Sequence, residues 1–360
     1  MLLESLPTFF LATNSADGFV NGFKNAFDPK DGWKAYLIKG GPGTGKSSFM
    51  KSVATSFVNR GEKVSVVPCS SDPDSLDAVI LESRKVVVFD ATAPHVMDPV
   101  YPGVCEEILN FGEFWNADEL KDNKEEIIAL TDKNKALHRR ASRFISAIGQ
   151  LKRNEMKISL LATDIDKTFK FASRFASRYI KSTEGEGEEK IIYLSALTPK
   201  GEVFYQETID KLCKEKVVIL DEYGTVSNMI FSFIRDYALK SGMKIITVKN
   251  NILPFEQIDH ILIPSLSLAF CAGSLGTEIK GENVRKIHAS RFMNRELLKE
   301  YTSRIHFGRK LIKELTDGAV ATLKEAKEVH DELEAYYIKA MDFTLLNEFC
   351  RKFAEKLILH

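Results

Sequence analysis

Ala35-Tyr-Leu-Ile-Lys-Gly40-Gly-Pro-Gly-Thr-Gly45-Lys-Ser-Ser-Phe49 is the stretch whose reading decides the fold class. An apolar run of strand length enters a turn carrying glycines at 40, 41, 43 and 45. Beyond it Phe49, Met50, Val53, Ala54, Phe57 and Val58 recur at helical spacing, and Gly61 supplies a C-terminal stop. Glycines let successive backbone N–H groups turn inward, because no Cβ blocks the required angles. The head of the following helix adds partial positive charge at the same place. Strand, glycine turn and helix in this order predict a phosphate cradle on an α/β sheet.

The cradle assigns Gly40, Gly41, Pro42, Gly43, Thr44, Gly45, Lys46, Ser47 and Ser48 to the phosphates of a nucleoside triphosphate, expected to be ATP with Mg²⁺. Lys46 is expected to bridge the β- and γ-phosphates, and the Ser47 hydroxyl to ligate the metal. Val86-Val-Val-Phe-Asp90 is an apolar strand ending in a carboxylate, 44 positions after Lys46. Asp90 is therefore the second expected metal ligand. Ala91 follows it where many motor ATPases carry a water-activating glutamate, so either another residue performs that task or hydrolysis is slow. No NKxD-like base-reading motif appears, which disfavours GTP.

Two further stretches lie where ligands of open α/β sheets bind, beyond strand ends. Cys69-Ser-Ser-Asp72-Pro-Asp74-Ser-Leu-Asp77 follows Val64 to Val67. Asp72 and Asp74 are its candidate ligands or bases, against the plainer reading of a capped turn. Asp90-Ala-Thr92-Ala-Pro94-His95 leaves the next strand, and His95 is a candidate to contact phosphate or orient water, against a structural role. Arg84, Arg139, Arg140 and Arg143 are read as solvated charges.

Around this centre the chain alternates. Runs at Phe9 to Ala12, Ala35 to Ile38, Val64 to Val67, Ala78 to Leu81 and Val86 to Phe89 predict a parallel sheet in an α/β module over 1–116. Residues 117–181 are charged and periodic and predict a long helical hairpin. A polar linker, 182–189, precedes a second strand-rich module over 190–282, and 283–360 is expected to be helical. The second module aligns with the first at a shift of about 181 positions. Tyr36-Leu-Ile38 falls on Val217-Val-Ile219, Gly43-Thr44 on Gly224-Thr225, and Leu76-Asp77 on Ile258-Asp259 after one more residue of shift. Ser227 then stands at the place of Lys46 and Ala272 at that of Asp90, while Asp221 and Glu222 would repel a triphosphate. The second copy is expected to be degenerate and structural, burying the open face of the first or contributing residues across a pseudo-twofold interface.

Composition sets the remaining bounds. Lys plus Arg and Asp plus Glu number 50 each, so no net field recruits nucleic acid or an anionic membrane. The cysteines at 69, 105, 213, 271 and 350 show no CxxC or metal-like spacing and read as buried or free thiols of a reducing compartment. The N-terminal stretch carries Glu4 and no basic segment, and no apolar run reaches membrane length, so a cytoplasmic protein is expected.

These motifs resemble the P-loop NTPase superfamily and, more narrowly, a little-characterised group of bacterial two-module P-loop ATP-binding proteins. The resemblance rests on Gly40 to Ser48, Cys69 to Asp77, Phe89 to His95 and Gly112-Glu-Phe-Trp115. It implies phosphate and metal roles for Gly40, Gly45, Lys46, Ser47 and Asp90, and no agreed substrate. The expected function is a slow Mg-ATPase with one competent site, coupled to the posture of its helices or to a protein partner. The alternatives are a kinase for a small molecule or nucleotide, with Asp72 or Asp74 as base and 137–153 as an arginine-bearing lid, and a non-catalytic nucleotide sensor or scaffold.

Overall fold

The computed structural model describes residues 5–182, 185–273 and 279–359. Glu4 and parts of the 182–189 and 190–282 segments lie outside these described residues. The fold is α/β, with two mixed sheets and a long helical region.

The first half runs β1 (Ala12–Ser15), β2 (Gly18–Asn21), β3 (Lys34–Lys39), α1 (Lys46–Val58), β4 (Val64–Pro68), β5 (Leu76–Leu81), β6 (Val86–Asp90) and β7 (Glu106–Asn110). Three helices follow: α2 (Ala117–Asp122), α3 (Lys124–Ala162) and α4 (Ile165–Tyr179). The second half runs β8 (Glu188–Ile192), β9 (Ser195–Thr198), β10 (Gly201–Phe204), α5 (Gln206–Leu212), β11 (Glu215–Leu220), α6 (Thr225–Lys240), β12 (Lys244–Lys249), β13 (Ile258–Ile263), β14 (Leu268–Gly273) and β15 (Val284–His288). It closes with α7 (Arg295–Glu300), α8 (Thr302–Ala340) and α9 (Phe343–Leu359).

The first sheet has the order β4-β5-β6-β3-β7, and the second β12-β13-β14-β11-β15 with β8 added beside β12. Directions agree strand for strand, and a register break falls at Val67/Pro68 in one sheet and at Val248/Lys249 in the other. The expectation of a parallel sheet is corrected here. β6, β3 and β7, and likewise β14, β11 and β15, run parallel, as does β8 beside β12; β4-β5-β6 and β12-β13-β14 are antiparallel. The segments joining β4 to β5 and β5 to β6 are too short for a parallel crossover, which needs about a dozen residues. The edge strands β7 and β15 were not expected: their sequences, Glu-Glu-Ile-Leu-Asn and Val-Arg-Lys-Ile-His, carry too few apolar residues to read as strands. β15 lies inside the segment expected to be wholly helical.

Each sheet is apolar on both faces, and different partners cover the two faces. The inner faces meet each other: Leu37, Ala78, Ile80, Val87 and Phe89 share one core with Val218, Val248, Leu262, Ala269 and Cys271. The second sheet thus buries the first one's open face. On the outer side of the first sheet, Tyr36, Ile38, Val79 and Val88 pack under Phe49, Met50, Val53 and Phe57 of α1. Val217, Ile219, Ile261 and Phe270 pack under Val226, Ile230, Phe231 and Ile234 of α6 in the same way.

The long helices do not form the hairpin expected over 117–181. α3 and α8, of 39 residues each, instead pair antiparallel with one another. Asn134 Nδ2 donates to the Ala326 carbonyl (2.8 Å), and Ile145, Ile148, Ala319 and Leu323 form the seam. Each long helix therefore carries the chain from its own sheet to the other. α4 lays Ala172, Phe175 and Ala176 on the second sheet's outer core, and α9 lays Leu346, Phe353 and Leu357 on the first's. Backbone clips close both crossings: Asn116 N–H to Ala340 O (2.8 Å) and Asp342 N–H to Phe114 O (2.7 Å) at one end, Asp164 N–H to Phe292 O (2.8 Å) and Asn294 N–H to Ala162 O (2.7 Å) at the other. No helix among the described residues is long and apolar enough to cross a membrane.

Candidate functional site

The Gly40–Gly45 turn lies between β3 and α1, at the C-terminal edge of the parallel strands. Gly43 (φ 67°) and Gly45 (φ 83°) adopt left-handed backbone, the conformation for which the sequence supplied glycine. Thr44 Oγ1 donates to Gly41 O (2.9 Å) and braces the turn from within. Lys46 is buried at the head of α1, and its Nζ donates to Gly41 O and lies 3.6 Å from Asp90 Oδ2. The other Asp90 oxygen accepts from the Thr92 N–H (3.0 Å) and from the Thr92 hydroxyl. Lys46 and Asp90 thus meet in space as the sequence reading required. Ser47 Oγ accepts from the Leu76 N–H (2.9 Å), tying the helix head to the start of β5.

The turn has a ligand from its own chain. Gly43 N–H donates to Oε1 of Glu334, on the last turns of α8 (3.1 Å). A hydrogen bond to His330 holds the Glu334 carboxyl below its ordinary range; burial works against this and the Gly43 N–H adds to it. The approach is close. A Cβ at Gly41 would come within 2.5 Å of the Tyr337 ring, and one at Gly43 within 2.8 Å of the Glu334 carbonyl oxygen. Trp115 packs on Tyr337 with ring centroids 5.8 Å apart, so the stretch from Gly112 to Trp115 seats the end of α8.

The remaining candidates part company. Asp74 is exposed and pairs with Lys200 Nζ (2.6 Å), a hydrogen bond that lowers its pKa. Asp72 accepts from the Ser75 hydroxyl (2.8 Å) and faces Lys327 of α8 (3.6 Å). Both hold their turn and its neighbours through these contacts. His95 is buried between Phe19 and Phe23, with ring centroids 5.2 and 5.0 Å away. Its Nε2 stands 3.1 Å from Asp77 Oδ2. Burial lowers the imidazole pKa, but the Asp77 and Asp90 carboxylates outweigh it and the net shift is upward. Arg84 binds Glu62 (2.8 Å) and the carbonyls of Leu357 and Ile358, capping α9, and Arg139, Arg140 and Arg143 are exposed on α3.

The matching turn of the second half differs in kind. Strand register puts Ala272 opposite Ile219 as Asp90 stands opposite Ile38. α6 starts after four residues, where the first half spends six. Asp221, buried, fills the turn with its own carboxylate: Oδ2 accepts from Ser227 N–H (2.8 Å) and Oγ (3.1 Å), and Oδ1 from Tyr223 N–H (3.1 Å). At the place in α3 that Glu334 holds in α8 stands Met156, whose carbonyl accepts from Thr225 Oγ1 (3.3 Å).

Sequence reasoning passed over Cys69, Asp77, Glu334 and Tyr337. Cys69 and Asp77 bound the stretch it singled out, but Asp72 and Asp74 drew the weight. Glu334 lies 291 positions from Gly43, and no local pattern marks it. No protein-family model, curated protein or solved structure matches the chain.

Proposed function

We propose that this chain is a two-module P-loop protein that binds one Mg-ATP at Gly40–Ser48, hydrolyses it slowly, and transmits occupancy through α8 and α9. The observation that carries the reading is the Glu334 carboxylate on the Gly43 N–H, beside a Lys46–Asp90 pair. A glycine turn that accepts a carboxylate oxygen on its N–H offers the same donor to a phosphate oxygen, and the α1 dipole favours either anion.

In this reading the β- and γ-phosphates displace Glu334 and draw Lys46 Nζ away from Gly41 O. Ser47 and Asp90 would hold Mg²⁺, which would neutralise charge on the phosphate oxygens. The Ser47 hydroxyl oxygen accepts from the Leu76 N–H and keeps a second lone pair for the metal. Ala91, buried, offers no base after Asp90, and His95 gives its bond to Asp77. Slow turnover follows from both. Tyr337 and the following turn rest on the cradle, and α9 shares the outer core with α1. Release of Glu334 therefore frees the end of α8, the conformational output.

The second module is the emptied copy. Its turn already holds the Asp221 carboxylate, and it lacks counterparts of Lys46 and Asp90. The test is phosphate release by the full chain with Mg-ATP and no acceptor, together with nucleotide binding by calorimetry. One ATP per chain and slow release, both abolished by Lys46→Ala, are expected. Binding unchanged in Lys46→Ala, or two nucleotides per chain, would refute the reading.

A further inference from the structure

Behind Asp90 three donor side chains converge that the nucleotide site leaves unused. Cys69 follows β4, Asp77 lies in β5, and His95 is five residues past β6. One ligand atom from each falls in a group whose members all lie within 4.8 Å of one another. We propose that Cys69, Asp77 and His95 bind one borderline-soft divalent cation of the Zn²⁺ class, at a site separate from the Mg²⁺ position.

The donor chemistry fits that class. Thiolate sulfur, carboxylate oxygen and imidazole nitrogen are the ligands Zn²⁺ takes at about 2.0–2.3 Å, whereas Mg²⁺ and Ca²⁺ prefer oxygen alone. A tetrahedral shell of such bonds spaces its donors about 3.3–3.6 Å apart, so the cluster would close from its present spread of up to 4.8 Å. Burial supports a site rather than a surface coincidence, with Asp77 4% and His95 5% exposed. His95 Nδ1 is buried without a hydrogen-bond partner, as is the hydroxyl of Ser70 next to Cys69. Buried polar atoms nearly always have a partner, and Nε2, the ring nitrogen 3.1 Å from Asp77 Oδ2, is the one a cation shared with Asp77 would take. Phe19 and Phe23 wall the imidazole and fix its plane.

The second half supplies the contrast. Strand register and the shared break put Asn250 where Cys69 stands and Asp259 where Asp77 stands. There Asn250 Nδ2 lies 3.1 Å from both Asp259 oxygens, so an amide satisfies the carboxylate. The first half replaces that amide with a thiol, a poor donor but a strong metal ligand. Three protein ligands leave one coordination position for water or a neighbouring oxygen.

Cobalt(II) titration of the chelator-treated full chain tests this. Expected is a saturable thiolate-to-cobalt charge-transfer band at one equivalent, displaced by Zn²⁺. Cys69→Asn installs the second half's pairing, so it keeps Asp77 satisfied and the fold intact while removing the sulfur. It should abolish the band, and His95→Phe should weaken binding by roughly tenfold or more. Lys46→Ala should leave it unchanged, which separates this site from the nucleotide reading. No saturable band in the wild-type chain, or a band that survives Cys69→Asn, overturns the proposal.

Discussion

The backbone N–H of Gly43 donates to the Glu334 carboxylate at 3.1 Å, joining the first glycine turn to the end of the last long helix. In the second half the corresponding turn is filled by Asp221, three residues before its own glycine. The first turn borrows its anion from a distant helix; the second carries its anion in the loop.

On the proposed reading, replacing Glu334 with Gln removes the charge that would compete with phosphate while keeping the side chain's shape. A hydrogen bond to a charged group is worth about 1.5–3 kcal/mol, less here because Glu334 is only half-buried. Glu334→Gln should therefore tighten Mg-ATP binding about fivefold. Calorimetric titration reads this directly, and unchanged affinity would mean that the carboxylate does not compete. The effect belongs to neutral pH. A carboxyl held below its ordinary range keeps its contribution above that range and loses it as pH falls through the lowered value.

Asp221→Ala leaves the N–H groups of Ser227 and Tyr223 and the Ser227 hydroxyl without their acceptor. A cost of about 1–3 kcal/mol is expected, visible as a lower melting temperature. Nucleotide stoichiometry should remain one, because Ser227 cannot replace Lys46 in gripping phosphate.

Phe353 is close to the end of the chain yet buried in the first sheet's outer core. Its ring lies 4.7 Å from that of Tyr36 and 5.4 Å from that of Phe49. Phe353→Ala should cost about 3–5 kcal/mol. Hydrogen exchange should show the loss first at β3 and α1, more than 280 positions away in sequence. Faster exchange confined to α9 would contradict this.

His260 is buried beside Phe204, with its Nδ1 unpartnered, and burial lowers its pKa from 6.5 to about 3. The folded chain holds the ring neutral, whereas the unfolded chain protonates it near the ordinary value. Its contribution is complete above pH 6.5 and is lost as pH falls toward 3. Unfolding free energy should decline by on the order of 3 kcal/mol between about pH 7 and pH 4 on this account. His260→Leu should flatten that slope; denaturant titrations across the range would reveal an unaltered slope if the ring were not responsible.

Local chemistry was legible in the sequence because it is written in adjacent residues. The glycine turn, the α1 stripe from Phe49 to Phe57 and the apolar strand ending at Asp90 all stand in the structure where they were read. The meeting of Lys46 with Asp90 was also legible, since both leave neighbouring parallel strands at the same edge. Strand direction was not. A run such as Ala78 to Leu81 looks the same parallel or antiparallel, and only the short turns on either side of it decide.

Sequence by itself determined the glycine turn between β3 and α1, and the absence of a lysine and a carboxylate at the matching places of the second half. These follow from backbone angles, charge and periodicity within a few residues. Tertiary structure alone decided that the two sheets share one core, that α3 pairs with α8, and that each half's last helix covers the other half's sheet. It alone brought Glu334 to Gly43, and His95 to Asp77 and Cys69. An amphipathic helix declares that it has an apolar face but not which apolar surface will cover it. That choice is made when all the faces compete for burial together, and the loops that permit the crossing carry no periodic signal of where they lead.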